Sequence, residues 1–127
     1  MRAFTAVTTD GEHLGRDRLS GRVLAGFFAQ GCPMCEESVG TFVRLAQEHE
    51  GGRDRVLAVV VGRPETAASC VDRLDGAARV LTEPFDGPVS AAFEIDGFPA
   101  FLRLEGPVVL AATGKIAAFA AQHAGRG

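Results

Sequence analysis

Val23-Leu24-Ala25-Gly26-Phe27-Phe28-Ala29-Gln30-Gly31-Cys32-Pro33-Met34-Cys35 joins an apolar run of strand length to two cysteines three positions apart. A continuous apolar run suits a central strand covered on both faces. From Pro33 onward the period changes: Cys35, Val39, Phe42, Val43 and Ala46 recur every three or four residues on one helical face. The paired cysteines therefore stand where a strand gives way to a helix. A sulfur at that junction faces the unpaired N–H groups and the positive end of the helix dipole. Such placement draws a thiol pKa from about 8.5 toward a range of about 3.5 to 7.5. Cys32 is thus expected to attack as a thiolate, and Cys35, one turn further in, to be more buried and to resolve the mixed disulfide. Pro33 suits the first helical turn, where no N–H is needed. Gly31 leaves the approach to the sulfur open. Paired cysteines also hold metals, and spacing alone leaves that alternative standing.

Outward from this stretch, Phe4 to Thr8 and a segment near His13 and Leu14 read as a small ribbon turned at Thr9-Asp10-Gly11-Glu12. Arg16 to Ser20 has room for one helical turn. The helix begun at Pro33 is expected to stop at Gly51-Gly52. Val56 to Val61 is a second apolar, β-branched run and reads as a strand. Pro64 sits where a helix accepts proline, and a helix is expected over Glu65 to Leu74. A strand at Ala78 to Leu81 and a short helix at Val89 to Phe93 follow. Pro99 to Leu104 and Val108 to Ala112 alternate as antiparallel strands joined at Glu105-Gly106, and a last helix covers Lys115 to Gln122 with Ile116, Phe119 and Ala120 inward. Strands alternating with helices and ending in a hairpin point to an α/β fold, a central mixed sheet with helices on both faces. No repeat or linker divides the chain, so one domain over 1–127 is expected, with the ribbon and turn at 1–20 and a loose tail at 124–127.

Composition sets the outer limits. The chain has 127 residues, 46% of them hydrophobic, enough for one real core. Its 13 basic and 16 acidic residues give a formal charge of -3 and form no basic cluster, so nucleic acid is not an expected partner. No stretch reaches the roughly 18 apolar residues of a spanning helix, and Met1-Arg2-Ala3-Phe4 lacks the apolar core of a signal peptide. Taken as it stands, the chain is expected to be cytoplasmic and monomeric, without a membrane anchor; an extracytoplasmic site is the alternative if an anchor precedes Met1 in the gene. Three cysteines are an odd set for a disulfide-stapled fold. Cys70 is left over, either a small buried hydrophobe or a third redox thiol.

Element order and motifs together resemble the thioredoxin superfamily, closest to its TlpA-like and MauD-like thiol-disulfide oxidoreductases. The resemblance covers nearly the whole chain: Phe4 to Leu19 as the N-terminal ribbon and turn, Phe27 to Cys35 as the redox motif, and Ile95-Asp96-Gly97-Phe98-Pro99-Ala100-Phe101 as the loop carrying a cis-proline. It implies a thioredoxin-like fold with Pro99 cis and beside Cys32. It also implies that Phe98 offers its backbone to an extended substrate, with Gly31, Pro33 and Met34 completing the binding surface. A proline there has no N–H and leaves neighbouring backbone groups free to pair with that substrate. The implied partners are a protein thiol or disulfide and an unidentified redox protein, with no cofactor and no metal. MauD-like proteins are implicated in maturing disulfide-bearing partners outside the cytoplasm.

Two departures stand out, a missing acid and the residue before the first cysteine. Typical thioredoxins keep a buried Asp six residues before the first cysteine; here that position is Gly26. Some TlpA-like reductases place a Glu three residues after the second cysteine; here it is Ser38. Glu36 and Glu37 are either solvated acids at a helix start or a proton relay, with water as a further option. Gly31 also replaces the tryptophan that precedes the first cysteine of typical thioredoxins, which argues against coupling to thioredoxin reductase. Other functions stay open: a metal carrier, for which His13, His49 and His123 lack ligand spacing to Cys35; a thiol peroxidase, whose threonine position is Ala29; and a non-catalytic partner-binding module. Direction of electron flow depends on how well the reduced thiolate is stabilised. Pro33 and Met34 bring no charge, so a moderately reducing pair is expected.

Overall fold

The computed structural model describes residues 3–124, without the side chains of residues 64, 66 and 122–124. The tail expected to be loose at 124–127 falls outside the described residues except for the last residue of the final helix, and so does the side chain of His123. Five strands form one mixed sheet in the order β5-β4-β3-β6-β7. These are β3 (Arg22–Ala29), β4 (Val56–Val61), β5 (Arg79–Glu83), β6 (Ala100–Glu105) and β7 (Val108–Thr113). β3, β4 and β5 run parallel; β6 is antiparallel to β3, and β7 to β6. A separate ribbon pairs β1 (Thr5–Val7) with β2 (His13–Gly15).

Handedness sets which face each helix covers. The steps from β3 to β4 and from β4 to β5 move the same way across the sheet, so right-handed crossovers carry α1 (Pro33–Glu48) and α2 (Pro64–Leu74) over one face. α4 (Ile116–Ala124) joins them there: Phe119 belongs to the same buried cluster as Val39 and Phe42 of α1 and Ala67 and Leu74 of α2. The other face is covered by the ribbon and α3 (Pro88–Ala92), through Phe4, Leu14, Val89 and Ala92. Helices on both faces of a mixed sheet are as expected. β4 is buried at every residue, and β3 from Val23 to Phe28, which explains their unbroken apolar sequence.

Beneath α1 lies a group of four phenylalanines, all fully buried. Phe28 meets Phe42 at 5.4 Å and Phe101 at 5.8 Å between ring centroids, and Phe101 stacks on Phe119 at 5.5 Å. Each ring contributes about 1.5 to 3 kcal/mol by burial, and together they fix α1 and α4 against the sheet.

Beside shifts of one to three residues at the ends of other elements, the structure departs from expectation in three places. A one-turn 3-10 segment over Gly52–Arg55 precedes β4. β5 begins one residue later and runs two further, to Glu83, because that residue's carboxylate is not solvated: it accepts the N–H groups of Val89 (3.0 Å) and Ser90 (2.8 Å) at the start of α3. β7 does not alternate. Its pairing jumps from Arg103↔Ala111 to Leu104↔Val109, leaving Leu110 without a partner, and Val108, Val109 and Leu110 are all exposed. A bulge of this kind resets the side-chain alternation and twists an edge strand.

Candidate active site

The first turn of α1 is built around a sulfur. Cys32 is extended (φ -106, ψ 108) and caps the helix: its Sγ accepts the N–H of Cys35 at 3.2 Å, and its carbonyl accepts the N–H of Glu36 at 3.1 Å. One orphan donor of the helix start is thereby spent on the sulfur. Pro33 follows in the first turn, where it removes no needed hydrogen bond. Gly31 has φ +71, the left-handed region that favours glycine, and open space where a side chain would stand. Nothing from Gly31 therefore covers the half-exposed sulfur of Cys32.

Cys35 is 2% exposed. Its Sγ lies 3.4 Å from the N–H of Ala29, the last residue of β3. Burial pushes this thiol up to about 12; the Ala29 N–H opposes the rise, and the adjoining Cys32 sulfur adds to it. The two sulfurs are thus set apart by environment, one half-exposed at a helix start and one in the core. All three cysteines are free thiols.

Across the sheet, β6 begins at Ala100, paired with Phe27, so that Pro99 comes level with the C-terminal end of β3. The Phe98-Pro99 peptide is cis, and the Phe98 carbonyl oxygen lies 4.0 Å from Cys32 Sγ. Met34, 58% exposed, lines with Ile95, Phe98 and Pro99 a hollow of about 450 Å³ beside the pair. A chain separation of 66 residues is closed here, bringing Cys32 and Phe98 together. Cys32, Met34, Phe98 and Pro99 border one surface. A second hollow of about 620 Å³, lined by Leu14, Arg18, Val23 and Val56 among others, contains no cysteine.

The missing acid has a physical explanation. A Cβ on Gly26 would sit 2.8 Å from two ring carbons of Phe42 and 2.9 Å from Phe28, so aromatic carbon fills the place where an aspartate would stand. Ser38 is buried, and its hydroxyl donates to the Met34 carbonyl at 2.7 Å. Glu36 turns to Arg73 of α2, 3.5 Å away, and Glu37 is exposed. The group of β3 that meets Cys35 Sγ is the Ala29 N–H, a donor.

Cys70, on α2, is half-buried and packs against the cluster that contains Cys35; burial, then the nearby Glu36, pushes its thiol up to about 11. A small apolar filler accounts for that setting. His49 follows α1 with its Nε2 2.8 Å from the Arg22 carbonyl oxygen. Among the described residues no three side chains converge as metal ligands.

Two features were not expected from sequence. The Ala29 N–H lies against Cys35, a backbone contact that no residue type announces. Phe85 packs edge-on to Phe98 at 6.2 Å and 88°. The Pro84-Phe85-Asp86-Gly87 turn, with an aromatic between turn formers, was the available signal for it.

No known protein family matches the chain, and no curated protein matches it. Solved structures do. A secreted Mycobacterium tuberculosis disulfide oxidoreductase homologous to E. coli DsbE is 17% identical, with TM-score 0.76 over 96% of this chain and 95% of that one. The MTB dsbF structure in mixed oxidised and reduced forms is 20% identical, with TM-score 0.73 over 96% and 93%. The pneumococcal exposed lipoprotein thioredoxin Etrx1 of Streptococcus pneumoniae is 18% identical, with TM-score 0.69 over 98% and 99%. The fold is thioredoxin-like; of these structural neighbours one is named a disulfide oxidoreductase, one dsbF and one a thioredoxin.

Proposed function

We propose that this chain is a thiol-disulfide oxidoreductase that exchanges disulfides with protein substrates through Cys32 and Cys35. One observation carries the reading: Cys32 Sγ, half-exposed at the start of α1, holds the Cys35 N–H at 3.2 Å and lies 4.0 Å from the carbonyl that precedes cis-Pro99. The Cys32 thiolate attacks one sulfur of a substrate disulfide, forming a mixed disulfide and releasing the other sulfur as a thiolate. Cys35 then loses its proton and attacks Cys32 Sγ. The mixed disulfide breaks, the substrate leaves as a dithiol with two electrons gained, and a Cys32–Cys35 disulfide remains. A partner dithiol restores the pair by the reverse steps. Phe98 and Pro99, with Gly31, Pro33 and Met34, serve as the surface on which the substrate backbone lies.

Direction follows from the same geometry. A pair becomes oxidising when its reduced thiolate is strongly stabilised. Cys32 Sγ has the Cys35 N–H at 3.2 Å and the start of α1 to stabilise its thiolate, and Pro33 and Met34 bring no charge to add to this. Equilibration against dithiothreitol or glutathione buffers, read by alkylation and mass, is expected to give a two-electron potential below about -200 mV. A value near that of the strongest periplasmic oxidant, about -120 mV, would contradict the assignment of direction.

A further inference from the structure

The chain contains nine phenylalanines. Seven are buried; the other two, Phe85 and Phe98, touch each other beside Cys32. Phe85 is 56% exposed, with its ring against Phe98.

Its support is rigid. Phe85 stands on a turn closed by the Gly87 N–H on the Pro84 carbonyl at 3.0 Å, with Asp86 in the left-handed region at φ 63. Before the turn, Glu83 is fixed at both ends: its carbonyl accepts the Gly62 N–H at 2.9 Å, and its carboxylate holds the first turn of α3. A hollow of about 410 Å³ opens beside the ring, walled by Gln30, Gly62, Arg63 and Pro84. Gln30 is itself pinned, its Oε1 accepting the Arg63 N–H at 2.7 Å. It stands two residues before Cys32. Through the contact of Phe85 with Phe98, the hollow and ring adjoin the candidate active-site surface.

We infer that Phe85 and this hollow form a specificity site for an apolar side chain one or two residues from the reacting cysteine of an extended protein substrate. The inference rests on the exchange reading above. An extended chain advances about 3.3 Å per residue, so a peptide whose sulfur meets Cys32 and whose backbone lies against Phe98 carries its neighbouring side chains over the Phe85 ring. An anchored aromatic meets such a side chain with little ordering cost. Phe85 touches no reacting atom and acts as a positioning residue.

The test uses two short synthetic peptides, each with one cysteine held as a mixed disulfide with thionitrobenzoate, identical except for Leu or Ser beside the cysteine. Attack by Cys32 forms the protein–peptide disulfide, breaks the peptide–thionitrobenzoate bond and releases the coloured thiolate. The second-order rate of the wild type is expected to favour the Leu peptide about tenfold. Phe85→Ala is expected to bring the Leu-to-Ser ratio near one, and Phe85→Leu to restore most of it. A ratio does not respond to a general loss of folded protein. Equal rates for both peptides in the wild type, or a preference that survives Phe85→Ala, would overturn the inference. So would a wild-type dimer that Phe85→Ala turns to monomer with no change in peptide preference, since the ring would then cover a second copy. Failure of the wild type to react even with dithionitrobenzoate would instead remove the exchange reading, and this site with it.

Discussion

Replacing Cys32 by Ser is expected to reduce dithiothreitol-driven insulin reduction to the uncatalysed background, a loss of about a thousandfold or more. The reason is chemical. A serine hydroxyl keeps the helix cap but is not ionised at neutral pH, and it cannot form the mixed disulfide from which every later step proceeds. The substitution should leave the fold intact, because Cys32 is half-exposed and serine is a favoured cap. Equal turnover by mutant and wild type, both shown folded by circular dichroism, would leave the chain a partner-binding module with an incidental pair. The wild type should also show a pH signature. With Cys35 at about 12, raised mainly by burial, neutral solution holds it as the thiol. Its thiolate fraction, and with it the rate of the resolving step, should climb about tenfold per pH unit between roughly pH 7 and 9.

Gly26→Asp, which restores the acid that typical thioredoxins keep, is expected to destabilise this protein by about 3 kcal/mol or more. Position 26 lies inside β3 and faces the rings of Phe28 and Phe42, with added carbon 2.8 to 2.9 Å from both. Those rings also pack on Phe101, so Phe42 cannot yield without disturbing the group. A carboxylate there adds an unpaired buried charge to the steric cost. Urea denaturation measures the loss, and in a double-mutant cycle Gly26→Asp should cost less in a Phe42→Ala background, where the clash is gone. If Gly26→Asp alone cost less than about 1 kcal/mol, within the range of an ordinary surface change, the aromatic filling of this site would not be the reason the acid is missing.

Legibility in the sequence followed the physics of each signal. β3, β4 and the buried stripe of α1 were readable because burial on both faces, or on one helical face, leaves a period that one chain carries by itself. The redox pair was readable because a proline and two cysteines mark a helix start locally. Pro99 came only through resemblance: its nearness to Cys32 is made by sheet order, which places β6 beside β3. The end of β5 was misjudged because Glu83 reads as polar until the donors of α3 are seen to satisfy it. Phe85 was missed for a similar reason. In sequence it is one more phenylalanine, and only its exposure and its contact with Phe98 distinguish it. The bulge in β7 left no trace in an uncharged Val108-Val109-Leu110 run. Gly26 could be named as a departure, but the ring that occupies its place comes from α1, 16 residues further along.

The central claim is that Cys32 attacks and Cys35 releases, and trapping the intermediate tests it most directly. Cys35→Ser, incubated with intact insulin and digested without reductant, is expected to yield one covalent adduct per chain, mapped by mass spectrometry to Cys32 and reversed by dithiothreitol. An adduct on Cys70, or none at all, would contradict the account.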